Sequence, residues 1–337
     1  MRHFTLILTF LIFFFSGIRA NKIDSLKSDK EVEGFIESLF QKIYNVDRYT
    51  FSLKKPDSVT NYIPCDSTIY FDSNLWKKID FNKDGFTDLF AILYQRDTIN
   101  SSFPSYTVYV VIDLGKDKFQ LIKIPQYFMI NCYSVKLMLV ENEPCLIYRY
   151  YKSEYTIDTL PAFDTVNIPF DSLGGTMTMP KTQINYFQVG KTDTLIYKFG
   201  GFVELKTQNR MSPEIESIYF RTTPCYGDCP VFDINIFKDG LATYVRNQDS
   251  EGYSGNFKCT INLPKLNEIF DLIKYLSVSD LEDSYFINAT HMQTMKLSIN
   301  FSNGKTKTIE DYGHRGTMGL IRLYDLLSEL RHNQKWE

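Results

Sequence analysis

Two short runs carry residue types that chemistry needs. The first, Asp80-Phe81-Asn82-Lys83-Asp84-Gly85-Phe86-Thr87-Asp88, places side-chain oxygens at loop positions one, three, five and nine, with glycine at six. Oxygens at that spacing suit a hard cation such as Ca²⁺, and the Phe86 carbonyl at position seven would complete the shell. Position twelve is Ala91, where a helix–loop–helix calcium site requires a bidentate Glu. The flanks, Leu75 to Ile79 and Leu89 to Tyr94, read as strands. The same residues also fit a plain Asp/Asn-rich turn held by side-chain to backbone hydrogen bonds. An ion held here would staple the turn, because the loop supplies every ligand and leaves no open position for a substrate.

The second run is Thr223-Pro224-Cys225-Tyr226-Gly227-Asp228-Cys229-Pro230. A tight glycine-containing turn can bring Cys225 and Cys229 within the Cα separation of roughly 4.4 to 6.8 Å that a disulfide tolerates. Redox catalysis normally uses two intervening residues at a helix start, whereas a strand follows here. Zinc would need two further ligands, with Cys259, His291 and His314 as the candidates. We carry a structural disulfide forward, with free or differently paired thiols and metal or redox chemistry as alternatives.

Both runs gain meaning from the first twenty residues. Arg2 and His3 precede an apolar run from Phe4 to Phe15, and Ser16, Gly17 and Ala20 supply small residues. That is the pattern of a secretory signal cut after Ala20. The run is too short to span a bilayer, although a retained anchor is the alternative reading. No cysteine lies near the cut, so the expected product is free in the periplasm or medium rather than lipid-anchored. Export makes disulfides among the six cysteines chemically reasonable.

Losing Arg2 and Arg19 from the 37 basic residues leaves 35 against 40 acidic ones, a mature charge of −5. Mild acidity argues against nucleic acid, which demands a basic stripe. No later segment is apolar enough to predict a transmembrane helix.

The elements that must position the two runs are mostly strands, in keeping with 23 Tyr and 27 Phe. Residues 21–208 are expected to form a β-rich domain. Its helix carries the stripe Val32, Phe35, Ile36, Leu39, Phe40, Ile43 and Tyr44, with Ser28 and Glu31 as a capping box. An antiparallel meander follows, with strands at Ser67 to Phe71, Phe86 to Tyr94, Tyr106 to Asp113, Phe119 to Ile124, Tyr133 to Val140 and Cys145 to Tyr151. Residues 159–182, rich in Pro, Gly, Thr and Asp, read as a long surface loop. A strand pair, Ile184 to Val189 and Thr194 to Tyr197, closes the domain. Residues 209–337 read as a smaller α+β domain. Its hairpins occupy Ile215 to Arg246 and Met295 to Ile309, with helices at Leu263 to Tyr275 and around Leu320 to Leu330.

Residues from about Ile215 to Trp336 resemble an uncharacterised domain of bacterial secreted proteins and lipoproteins marked by a Cys-x-Gly-x-Cys-Pro box. The resemblance rests on Tyr219, Cys225, Gly227, Cys229, Pro230, Asp239-Gly240, the Lys307 to Gly313 run and Trp336. It implies no activity, and its lipid anchor finds no cysteine here. Asp80 to Leu89 is similar to one calcium loop of the FG-GAP repeats of integrin-like propellers. A single copy implies a site and not a fold.

No Gly-x-Ser-x-Gly elbow, His-Glu-x-x-His helix or Walker loop occurs, and Gly252 to Gly255 only echoes the first. His314, before the last helix, is where an unrecognised hydrolase would have its base. The expectation is a non-catalytic exported binding or envelope-associated protein with a protein or glycan partner. In it, Asp80, Asn82, Asp84, Phe86 and Asp88 hold a structural Ca²⁺, and Cys225–Cys229 staples the C-terminal domain.

Overall fold

The computed structural model describes residues 21–53, 74–98, 105–124, 133–159, 165–170, 175–180, 182–206, 213–246, 254–287 and 289–337. The expected signal segment, the expected strand at Ser67 to Phe71, Cys65 and Cys132 lie outside them. The described residues are β-rich, with antiparallel sheets and four α-helices.

The chain begins with α1 (Lys22–Ser25) and α2 (Asp29–Tyr44). Ser28 starts α2 by the expected reciprocal bonds: its hydroxyl accepts from Glu31 N, and the Glu31 carboxylate accepts from Ser28 N at 2.9 Å. Val32, Phe35, Ile36 and Leu39 of the apolar stripe are buried, each contributing about 2 kcal/mol of transfer free energy. Ile43 and Tyr44 overshoot the sheet and stay half exposed.

The first sheet contains β1 (Tyr49–Ser52), β2 (Trp76–Ile79), β3 (Asp88–Asp97), β4 (Ser105–Asp113) and β5 (Phe119–Lys123). Its spine, β3, is buried on both faces. Leu89, Ala91 and Leu93 meet α2, while Phe90 and Ile92 meet a second sheet. Covering both faces explains why β3 reads as a continuous apolar run instead of an alternating one.

That second sheet has the order β11-β10-β7-β6 and is formed by β6 (Tyr133–Val140), β7 (Glu143–Thr159), β10 (Thr182–Lys198) and β11 (Gly201–Glu204). Two expectations are corrected here. The strand pair 184–189 and 194–197 is one continuous strand, paired with β7 from Thr182↔Thr159 to Ile196↔Cys145. The segment 159–182 is not structureless, because β8 (Thr165–Phe170) and β9 (Gly175–Pro180) pair within it. Its prolines suggested a loop, but in a two-stranded ribbon every strand is an edge, where Pro is tolerated. Alternate Thr, Val, Ile and Met residues then favour extended backbone.

Beyond residue 212 a seven-stranded sheet runs in the order β15-β14-β13-β12-β17-β18-β16. Its strands are β12 (Ile215–Thr222), β13 (Phe232–Phe237), β14 (Leu241–Arg246), β15 (Gly255–Thr260), β16 (Ser284–Phe286), β17 (Thr294–Phe301) and β18 (Thr306–Tyr312). The helices α3 (Leu263–Leu276) and α4 (Met318–Asn333) cover one face. Ile218, Phe220, Ile234, Leu297 and Ile299 pack there against Leu266, Ile269, Leu323 and Leu327.

Packing is continuous across the expected boundary at residue 208. In the β10–β11 hairpin, Leu195, Tyr197 and Phe202 face the first sheet, whereas Ile196, Phe199 and Val203 join the helical core. The same helices therefore separate the second sheet from the third. No described helix is long and apolar enough to cross a membrane.

Candidate functional site

Strands β2 and β3 present the Asp80–Asp88 turn. Asp80 accepts from Asp84 N at 3.3 Å and Gly85 N at 2.9 Å, Asn82 Oδ1 accepts from Asp84 N at 3.2 Å, and Asp84 accepts from Phe86 N at 2.8 Å. Gly85, at φ 87°, supplies the left-handed backbone this requires. Asp88 is fully buried and accepts from Phe81 N at 2.7 Å and Asp113 N at 2.8 Å, tying the turn to the end of β4. Loss of water raises its pKa to about 7 against the pull of these two amides, and the charges of Asp80 and Asp84 add to the rise.

The turn's lysine, Lys83, pairs with Glu143 rather than with its own acids. An all-oxygen, anionic donor set is the right chemistry for a hard cation, and Asp80, Asn82, Asp84 and the Phe86 carbonyl would be its ligands. Asp88 is the member already committed elsewhere. Among the described residues no three Asp, Glu, His or Cys side chains stand close enough together to hold a metal in this conformation.

The second run forms a different kind of turn. Cys225 and Cys229 are joined by a disulfide, with Cα atoms 5.7 Å apart, so neither thiolate is available for zinc. Cys145 and Cys259 are free thiols, and Cys259 lies on β15, away from the box. Neighbouring strands hold the ring from outside. Gln293 Nε2 donates to Thr223 O at 2.9 Å and Pro230 O at 2.8 Å, and Thr294 N donates to Thr223 Oγ1 at 2.9 Å. Tyr226 N donates to His291 O at 3.0 Å, and the two rings lie 5.4 Å apart. Tyr226 itself is 85% exposed.

The topology brings together what the sequence holds far apart. The ends of β12, β16 and β18 and the starts of β13 and β17 share one edge of the sheet. The disulfide ring, His291 and His314 therefore lie at that end, and Gly313 N donates to Gln293 O at 2.9 Å between their loops. His291 and His314 both have left-handed backbone, φ 66° and 56°, uncommon for non-glycine residues.

His314 does not form the base pair a hydrolase needs. Its carboxylate neighbour, fully buried Asp311, accepts from Arg315 N at 2.6 Å and Gly316 N at 2.9 Å, so both oxygens anchor the approach to α4. Burial raises the Asp311 pKa. The His314 ring reaches solvent and stands 6.5 Å from that of Tyr324; surrounding protein lowers its pKa, and Asp311 opposes this. His332 lies in the last turn of α4, at the opposite end of that helix.

Sequence reasoning missed Glu204. Its carboxylate reaches from β11 to the start of α4, accepting from Met318 N at 2.6 Å and Gly319 N at 3.0 Å. A negative group at a helix N-terminus satisfies orphan amides and the helix dipole together. A Cβ at Gly319 would stand 2.2 Å from Leu276 Cδ2 and 2.9 Å from Glu204 Oε2, so a larger residue there would have to displace both side chains. The signal was present only as a lone acid closing the apolar run Phe199 to Val203.

None of the curated proteins compared with the chain matches it. Residues 216–331 match the family model of a domain of unknown function, DUF6438. That span holds the disulfide ring, His291, Asp311 and His314 but neither Glu204 nor the Asp80–Asp88 turn. The module from β12 through most of α4 is thus similar to DUF6438, and the N-terminal sheets lie outside the match.

Proposed function

We propose that this is an exported, non-catalytic recognition protein that presents the Cys225–Cys229 ring to a protein or glycan partner. One observation carries the reading: Tyr226, 85% exposed, rides on a covalently closed ring whose base is fixed by Gln293, Thr294 and His291. A large aromatic side chain is a common anchor of recognition, and a ring ordered in advance loses little entropy on binding. An exported setting also suits a disulfide. Asp311 supports the non-catalytic half, because its oxygens serve backbone amides rather than the imidazole.

Capture by the immobilised mature chain tests the proposal, using a glycan panel and an extract of the native envelope. A ligand retained by the wild type and at least about tenfold less by Tyr226→Ala, about 1.4 kcal/mol, supports it. Equal capture by the two overturns it. In the same reading Ca²⁺ staples the Asp80–Asp88 turn. Millimolar Ca²⁺ should then raise the melting temperature of the mature chain and EGTA should reverse the rise. An unchanged melting curve rejects the metal.

A further inference from the structure

A cavity of 510 Å³, within the roughly 300 to 1,000 Å³ typical of small-molecule sites, lies between α4 and the N-terminal sheets, distant in sequence from the disulfide ring. Phe202, Met318 and Ile321 supply apolar surface. Two polar walls are set in advance. Gln120 is locked by accepting from Tyr197 Oη at 3.0 Å and donating to Gly200 O at 2.8 Å. Arg322 donates to Phe199 O at 2.8 Å and to Glu329 at 3.0 Å, which uses the Glu329 charge.

Arg331, also in the lining, donates to Ser328 O and lies over the Phe232 ring, which leaves two lining charges with neither a hydrogen bond nor an ion pair. Asp325 stands on α4 and Lys123 at the end of β5, and neither has a hydrogen-bond or ion-pair partner among the described residues. Both residues are exposed to solvent, with the walls of the cleft close beside them. Those walls raise the Asp325 pKa to about 6, opposed by Arg322, and lower that of Lys123. Opposite charges on the walls of one cleft, not paired with each other, are complementary to a molecule carrying both signs.

We propose that this cleft binds a small zwitterion, a dipeptide or free amino acid, with its ammonium on Asp325 and its carboxylate on Lys123. The apolar surface between them takes the side chain. Polymer chains are disfavoured by this arrangement, because they lack the two terminal charges at short separation.

Isothermal titration of the mature chain with L-alanyl-L-leucine, its N-acetyl form and its C-terminal amide tests the assignment. The unmodified dipeptide should bind, and blocking either end should cost at least about tenfold. Asp325→Asn should remove the penalty of acetylation, and Lys123→Ala that of amidation. Both residues are surface-accessible, so the variants should fold as the wild type does, which their melting curves check. No binding at about 10 mM dipeptide overturns the proposal. So does indifference to blocking, or wild-type discrimination in either variant.

Discussion

The Asp80–Asp88 turn and the Cys225–Cys229 turn each join two strands, yet they are held by opposite means. In the first, side-chain oxygens take up the turn's own amides, and its two aromatic residues are buried or half-buried. In the second, a covalent bond closes the ring, neighbouring strands grip its base, and its largest side chain points to solvent. A turn that satisfies itself internally is a structural device. One whose rigidity is supplied from outside can leave a large aromatic mostly open to solvent, and that exposure separates the recognition reading from mere stapling.

The comparison breaks most readily at Asp88. Replacing it by Ala strands Phe81 N and Asp113 N, both buried donors, at roughly 1 to 3 kcal/mol each, so a loss of about 4 kcal/mol is expected in urea unfolding. A loss below about 1 kcal/mol would mean that the turn does not depend on its internal bonds. Removing the disulfide as Cys225→Ser with Cys229→Ser should cost less. Closing so short a ring restricts the unfolded chain by only about 2 kcal/mol. Melting of the double variant alongside reduced wild type checks this. A much larger loss would make the ring a folding element rather than a preordered tip.

How far these differences were legible from the sequence depended on whether the cause was local. Ser28 with Glu31, the Gly85 turn and the Cys225–Cys229 spacing each act within a few residues, and each is where the residue types placed it. The same holds for the strands flanking Asp80 and for α3 and α4. Glu204 was invisible because its partners, Met318 and Gly319, lie more than a hundred residues away. Asp88 was readable as a cation ligand, but its bond to Asp113 depends on β3 pairing with β4. The 159–182 segment failed for a related reason: Pro, which has no N–H, counts against a strand only at a position that must donate one to a neighbour, which pairing decides. Likewise, His291 and His314 became neighbours of the ring only through the strand order.

Asp311 offers the finest sharpening, because it copies Asp88 at the end of the sheet that carries the disulfide ring: a fully buried carboxylate accepting from two amides. Burial raises its folded-state pKa above the unfolded value of 3.8. Between those two values the folded chain holds a proton that the unfolded chain has released, so stability from this group falls as pH rises. His314 works in the other direction. Its pKa is lowered, the unfolded chain binds the extra proton, and stability rises with pH just below 6.5. Asp311→Asn keeps one acceptor and sets its amide nitrogen against the other donor, a loss of about 1 kcal/mol. It also deletes the falling limb. Denaturant unfolding of wild type and variant from pH 4 to pH 7 should therefore show their stability difference shrinking as pH rises through the window set by Asp311. A difference independent of pH would mean that Asp311 stays ionised in the fold and anchors α4 as a permanent negative charge. The surroundings of the two turns would then differ in their buried acids as well as in what holds each turn.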